Sequence, residues 1–139
     1  MPTDKEGSTP GHLVHDLVPF AHVADVARSI AFYARLGFAV EHSIEDDGVT
    51  GWAFLRSGDA RQMVAQGTPF DPGQQAVLFY LYSRDVAALR ERLVAASIRV
   101  GPIGHPDHMP DGEIRIDDPD GYCCLIGQLA TGPDGSPRG

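Results

Sequence analysis

The side chains best suited to chemistry lie within residues 105–117. Glu113, Arg115 and Asp117 alternate with isoleucines, so they share one face of a predicted strand. If that face lines a cavity, Glu113 can hold a cationic or hydroxyl-bearing ligand, and burial would raise its pKa towards that of a general base. Glu113 is therefore the candidate catalytic residue. The alternative is that this face of the strand is exposed to solvent and lines no cavity.

Two histidines in the preceding loop, His105 and His108, form with Glu113 the one cluster that a displaced metal ion could use. Their spacing in a proline-rich loop lacks the helical register that would hold both rings on one face, which favours a solvated loop over a ligand role. Cys123 and Cys124 adjoin within one strand, so their side chains point to opposite faces. They form neither a CxxC motif nor a disulfide framework.

Composition limits the partners of this chain of 139 residues. Its formal net charge of -8 argues against nucleic acid or an anionic membrane as a partner and favours a neutral or cationic small molecule. No basic flank precedes a long apolar run near the amino terminus, and no apolar run is long enough to span a membrane. The expected location is the cytoplasm.

The chain divides into one domain with two tails. Residues 1–12 and 130–139 are rich in Pro, Gly, Ser and Thr, which predicts flexible tails. Residues 13–129 form the predicted domain, with module one at 13–67 and module two at 76–129. A Gly- and Pro-containing linker separates the two modules.

Module one has the pattern of a β-α-β-β-β unit. Asp25 is a helix N-cap, Val26, Ile30 and Tyr33 form one apolar stripe, and Gly37 ends the helix. Three alternating segments separated by turn residues then predict three strands. The same order recurs in module two, where residues 85–87 repeat the Asp-Val-Ala of residues 25–27 and residues 98–103 predict a short strand.

The last predicted element is a β-hairpin. Residues 118–121 read Asp-Pro-Asp-Gly, in which proline presets φ and glycine accepts a positive φ. The alternating strand over 113–117 enters this turn, and a second strand follows it.

Two motifs together carry a resemblance to a known family. Residues 23–38 read VADVARSIAFYARLGF, and the Asp-Pro-Asp-Gly turn follows one module later. This combination resembles the glyoxalase/bleomycin-resistance/extradiol-dioxygenase superfamily, or vicinal oxygen chelate proteins, over roughly residues 13–129. The resemblance implies an α+β fold of two βαβββ modules, forming a curled, cup-shaped mixed sheet with helices outside. A second subunit often completes the cup, so a homodimer is expected.

The resemblance also indicates where a metal would bind. Metal-dependent members place a histidine seven residues before the helix-capping aspartate, which corresponds to Val18 and Leu78 here. Their carboxylate positions correspond to Leu125 and, in module one, to Met63 or Val64. Hydrocarbon and thioether side chains do not ligate Fe, Mn, Ni or Zn as those sites do. We therefore expect no metal cofactor, and the chain is closest in character to metal-free, bleomycin-resistance-like members.

Alternation along the strands predicts which side chains line the cup. His22 is either a cup acid/base or an ordinary edge histidine, and Trp52 is either core or a stacking platform. Cys123 is interpreted as a small side chain that fills apolar space in the cup. On the opposite face, Leu17, Ala21, Phe79 and Leu81 are expected to pack beneath the helices. The predicted ligand-binding residues are Phe20, His22, Trp52, Tyr80, Tyr82, Glu113 and Cys123.

Three functions fit these observations. The first is a metal-free homodimer that binds or sequesters a small organic ligand, as in antibiotic resistance, without catalysis. The alternative is a metal-dependent lyase, isomerase or dioxygenase of the same superfamily, with ligands drawn from His22, His105, His108 and Glu113. The third is a structural or antitoxin-like partner protein whose cup is filled.

Overall fold

The computed structural model describes residues 13, 16–68, 71, 74 and 77–129. The tails predicted at 1–12 and 130–139 lie outside the described residues, as does most of the predicted linker. Within the described part, neither helix is long and apolar enough to cross a membrane.

The first module is the predicted βαβββ unit. Its elements are β1 (Phe20–Val23), α1 (Val26–Ala34), β2 (Ala39–Asp46), β3 (Val49–Ser57) and β4 (Ala60–Gln66). The sheet has the order β1-β4-β3-β2, with β1 parallel to β4 and the other pairs antiparallel. The crossover through α1 is what allows β1 and β4 to run parallel.

The second module repeats this plan with one strand fewer. Its elements are β5 (Leu78–Ser83), α2 (Val86–Ala95), β6 (Glu113–Asp117) and β7 (Cys123–Gln128), in the sheet order β5-β7-β6. The strand predicted over 98–103 is wrong. Ile98, Val100 and Ile103 pack against the core, but only Gly104 forms a bridge, to Glu113. Pro102 has no N–H to offer a sheet ladder, which disfavours a strand there.

Both helices begin as the sequence predicts. The Asp25 carboxylate accepts a hydrogen bond from the Arg28 N–H at 3.2 Å, and Asp85 accepts from the Ala88 N–H at 3.0 Å. These side-chain caps satisfy backbone donors that the first turn leaves without partners. The capped helices then bury one stripe each against their sheets.

Both helices also end in the same way, through a residue with positive φ. Gly37 has φ 97° and Ser97 has φ 64°. Beyond them, the Phe38 N–H bonds the Tyr33 carbonyl and the Ile98 N–H bonds the Leu93 carbonyl, each at 3.0 Å. The second module therefore places a serine in a backbone conformation that favours glycine.

Substitutions at these two equivalent positions are expected to have opposite effects. Gly37→Ala should destabilise the protein by about 1–2 kcal/mol, because alanine is strained at this φ and its Cβ would lie 3.2 Å from Ser57 Oγ. Ser97→Gly should stabilise it by about 0.5 kcal/mol, since relief of strain exceeds the added chain entropy. Urea unfolding midpoints measure both changes. Equal signs for the two substitutions would contradict this account.

Strand alternation determines which face of each sheet is packed. In the first sheet, Ala21, Val23, Ala53, Leu55 and Val64 are buried on the helix side. In the second sheet, Ile114, Ile116, Cys124 and Ile126 are buried in the same way. The side chains between them therefore lie on the opposite faces of both sheets.

Leu17 departs from this pattern. It was expected to pack beneath a helix but is 80% exposed. It precedes β1, which begins only at Phe20, so strand alternation does not apply to it. By contrast, Ala21, Phe79 and Leu81 pack with the core as expected.

Candidate functional site

The face of the first sheet that points away from α1 is largely aromatic. Register places Phe20 beside Met63, which pairs with Phe54, and His22 beside Ala65, which pairs with Trp52. The β2 residues His42 and Ile44 lie opposite Phe54 and Trp52. We call this set the first open face: Phe20, His22, His42, Ile44, Trp52, Phe54, Met63 and Ala65.

The second sheet has a matching face with more polar groups. Tyr80 pairs across to Leu125, which pairs with Arg115, and Tyr82 pairs across to Gly127, which pairs with Glu113. We call this set the second open face: Leu78, Tyr80, Tyr82, Glu113, Arg115, Asp117, Cys123, Leu125 and Gly127. All seven predicted ligand-binding residues thus lie on one of the two open faces.

A short hydrogen-bond chain crosses the second open face. The Tyr80 hydroxyl donates to Glu113 Oε2 at 2.5 Å, and His108 Nε2 lies 2.8 Å from the same oxygen. The phenol reaches Glu113 over β7, where a Cβ on Gly127 would lie only 3.0 Å from the Tyr80 hydroxyl and 2.6 Å from the methyl group of Met109. The absence of a side chain at Gly127 therefore makes room for this contact.

These contacts set the protonation states of Tyr80 and Glu113. The hydrogen bond from Tyr80 lowers the pKa of Glu113, partial burial opposes that shift, and His108 lowers it further. Burial, followed by the hydrogen bond to Glu113, raises the pKa of Tyr80 to about 12. The expectation that burial would raise the pKa of Glu113 is wrong, because hydrogen bonds to the ionised form outweigh desolvation. Near neutral pH the pair is an ionised carboxylate and a protonated phenol, which suits binding better than general-base catalysis.

The two loop histidines have different partners. His105 Nδ1 lies 2.9 Å from the Pro110 carbonyl oxygen, while His108 contacts Glu113. Among residues 13, 16–68, 71, 74 and 77–129, no three His, Cys, Asp or Glu side chains gather where they could hold a metal ion.

The positions that the family resemblance assigns to a metal site carry no nitrogen or oxygen donor in their side chains. Leu78 and Leu125 both lie on the second open face, and Met63 lies on the first. Val64 is buried on the helix side. Two hydrocarbon side chains and a thioether do not fit a hard or borderline divalent ion.

Three other predicted residues have surroundings that bear on their roles. The exposed His22 ring meets Phe20 edge to face at 5.7 Å, while its carbonyl oxygen accepts from the Tyr122 hydroxyl at 3.0 Å. Trp52 is half-buried between β2 and β4, on the face away from the core. Cys123 is half-buried and has a free thiol.

Sequence analysis missed several members of the open faces, notably Phe54, Met63 and His42. Phe54 could have been found by continuing the alternation from Trp52 along one strand. Met63 was considered only as a position where the family resemblance places a metal-ligating carboxylate. Placing His42 on this face requires knowing how β2 pairs with β3. That register shifts at two irregularities, which the sequence pattern does not predict.

A groove of about 1050 Å³ lies between the two modules. It runs along β5 and includes Tyr80 and Tyr82, but Phe20, His22, Trp52, Glu113 and Cys123 do not line it. The groove therefore reaches the second open face but contains no residue of the first open face.

The two motifs that carried the family resemblance touch each other. Asp118 is 5% exposed and accepts hydrogen bonds from the Tyr33 hydroxyl at 2.7 Å and from the N–H groups of Asp120 and Tyr122, both at 2.9 Å. We call the contacts of Asp118 and Asp120 with the first module the motif junction. Burial raises the pKa of Asp118, partly offset by these hydrogen bonds.

Asp120 completes the motif junction. It accepts from the Ala24 N–H at 2.8 Å, from Arg28 Nη2 at 3.3 Å and from Ser29 Oγ at 3.4 Å. The hairpin turn of one module is thereby fixed to the helix start of the other. Sequence analysis identified both motifs but assigned no contact between them.

Sequence comparison identifies the class of protein. The family model of the Glyoxalase/Bleomycin resistance protein/Dioxygenase superfamily matches residues 10–123, so the chain belongs to that superfamily. A search of the curated proteins finds no match.

Solved structures agree with the fold. A bleomycin-binding protein complexed with bleomycin is 22% identical with a TM-score of 0.68, covering 84% of this chain and 100% of that one. An antibiotic-binding protein from Streptomyces sp. CB03234 is 19% identical with a TM-score of 0.64, covering 86% and 100%. The fosfomycin resistance protein FosX from Mesorhizobium loti is 14% identical with a TM-score of 0.67, covering 85% and 94%. At these identities the similarity establishes the fold alone.

Proposed function

We propose that this protein binds a small organic molecule against its aromatic open faces, without a metal ion and without transforming it. The observation that carries the proposal is the presence of two kinds of exposed sheet surface in one protein. The first open face is largely aromatic, and the second carries the ionised, hydrogen-bonded Glu113 carboxylate. Aromatic surface with a few convergent polar groups is typical of organic ligand sites. Two proteins of similar fold are described as binding bleomycin and an antibiotic.

We further propose that the protein is a homodimer. Phe20, Ile44, Leu78 and Tyr82 leave large apolar surfaces exposed on the open faces of a single chain. Covering them with a second copy would remove apolar area from water and complete the cup. A cytoplasmic location is also part of the proposal, supported by two free cysteines within one strand.

One observation favours the metal-dependent enzyme as a second candidate. His108 Nε2 and Glu113 Oε2 are 2.8 Å apart, so two potential metal donors already lie together. A third donor would have to come from a rearranged loop or a second copy. The experiment below therefore measures metal and organic ligand on the same protein preparation.

The test begins with tag-free protein incubated with iron, manganese, nickel and zinc salts, dialysed and subjected to elemental analysis. The same protein is then titrated by calorimetry with metal-free bleomycin, copper(II)-bleomycin, fosfomycin and a panel of planar aromatic compounds. We expect no retained metal and stoichiometric, saturable binding of at least one aromatic compound. Sedimentation equilibrium of the same sample should give the mass of a dimer.

Other outcomes identify which part fails. One ion per chain, lost in His108→Ala and Glu113→Ala, would replace the proposal with the metal-dependent enzyme. Failure of the whole panel, with no metal retained, would favour the structural partner protein. A monomer that still binds ligand would remove only the homodimer.

A further inference from the structure

We infer that the second open face selects aromatic ligands that carry a protonated amine or amidinium, which the free oxygen of Glu113 receives. This inference rests on the proposed function, because it names the chemical class of ligand for the same site. Three independent features of the second open face lead to it.

The first feature is the uneven use of the Glu113 carboxylate. Tyr80 and His108 both contact Oε2, and among the described residues no hydrogen bond reaches Oε1. The side chain is 14% exposed and Oε1 is not sealed from solvent, so a ligand can reach it. A partly buried carboxylate oxygen with no protein donor is a strong acceptor, and an N⁺–H donor satisfies it best.

The second feature is the arrangement of neighbouring charge. Arg115 is the next residue on the same face of β6, but its guanidinium lies 3.4 Å from Asp117 rather than on Glu113. Among the described side chains, His108 is the one basic group that contacts Glu113, with its Nε2 2.8 Å from Oε2. No arginine or lysine in the described part of the chain contacts Glu113, so the carboxylate attracts cations and repels anions.

The third feature is the aromatic surface beside the carboxylate. The Tyr80 and Tyr82 rings lie 5.3 Å apart, and Tyr82 is 63% exposed. The hydrogen bond to Glu113 fixes the position of the Tyr80 ring. A cation received by Oε1 lies at the carboxylate that the Tyr80 hydroxyl contacts, beside the two tyrosines. A flat aromatic body attached to that cation can stack on the exposed ring.

Three acridines of nearly equal shape test the inference. At mildly alkaline pH, 9-aminoacridine is a cation with N–H donors, acridine is neutral and acridine-9-carboxylate is an anion. Fluorescence titration of the wild-type protein gives three dissociation constants. We expect 9-aminoacridine to bind at least about tenfold more tightly than acridine, as a net charge-assisted hydrogen bond provides, and the carboxylate to bind most weakly.

Two isosteric variants isolate the role of Glu113. Glu113→Gln keeps an acceptor for Tyr80 and His108 but removes the charge, so the preference for the cation should fall almost to none. Glu91→Gln removes the same unit of charge at an exposed position of α2, outside both open faces, and it should keep that preference. Thermal unfolding checks that both variants fold. If Glu113→Gln does not fold, the three wild-type dissociation constants still show whether the protein prefers the cation.

The inference is overturned if wild-type protein binds acridine as tightly as 9-aminoacridine. It is equally overturned if Glu113→Gln keeps the preference, or if Glu91→Gln loses as much of it. In each case an acridine still binds, so the proposed function stands. If no acridine binds but bleomycin or another panel compound does, the inference alone fails. If nothing binds, both fail.

Discussion

Replacing Asp118 with alanine is expected to lower the free energy of unfolding by about 3 kcal/mol, the largest stability effect of any single substitution proposed for this protein. The carboxylate accepts from the Tyr33 hydroxyl and from two backbone N–H groups, and alanine removes this acceptor from all three donors. Each buried donor left unpaired costs about 1 kcal/mol or more. For a domain of this size the midpoint of thermal unfolding should fall by roughly 10 °C, as circular dichroism would record.

The neighbouring residue supplies the matched control. Asp117 is exposed, and its one contact is with the similarly exposed Arg115, so Asp117→Ala should change stability by less than about 0.5 kcal/mol. Asp118→Asn should be milder than alanine, because the amide oxygen keeps both backbone donors and the Tyr33 hydroxyl can accept from the amide nitrogen. Equal losses for Asp117→Ala and Asp118→Ala would contradict a structural role for the motif junction.

The motif junction also gives a physical reason why the two family motifs occur together. The first motif contributes Arg28 and Ser29 near the start of α1 and Tyr33 in its last turn, and the turn contributes Asp118 and Asp120. A buried carboxylate needs its donors, and the Tyr33 hydroxyl needs an acceptor, so either motif without the other would leave buried polar groups unpaired. The pair therefore specifies how the modules dock rather than what the protein binds.

Local patterns predicted most of the fold. The caps at Asp25 and Asp85, the positive φ at Gly37 and the turn before Tyr122 were all readable, because each depends on a few adjacent residues. The failures occurred where tertiary packing or exact boundaries decide. Residues 98–103 have strand-like side chains but no strand partner, and Leu17 lies before its strand begins.

The candidate site could be predicted only in part from the sequence, because tertiary contacts determine the rest. Alternation placed Tyr80, Tyr82 and Glu113 on one face of their sheet, since period-2 patterning needs no tertiary information. It could not show that Tyr80 crosses β7 at Gly127 to reach Glu113, or that His108 returns to the same oxygen. The direction of the Glu113 pKa shift was therefore wrong. Burial was visible in the pattern, whereas the two hydrogen bonds were not.

Replacing Trp52 with alanine is expected to weaken binding of the panel compound that stacks on the first open face by at least about 30-fold, which corresponds to about 2 kcal/mol. Trp52 lies on the first open face between Ile44 and Ala65, and neither neighbour can replace its stacking surface. The indole faces away from the buried core, so the thermal midpoint should change much less than the affinity does. Fluorescence titration and thermal unfolding on the same sample separate the two effects.

Two further variants decide what Trp52 contributes. Trp52→Phe keeps an aromatic face and should retain most of the affinity, because stacking tolerates a change of ring better than its loss. Thr50→Ala alters β3 outside the aromatic cluster, at a residue whose hydroxyl donates to Glu45 at 3.4 Å, and should leave affinity unchanged. If Trp52→Ala lowers stability as much as affinity, Trp52 acts through packing alone. Binding would then depend on the second open face, where Glu113→Gln would have the larger effect.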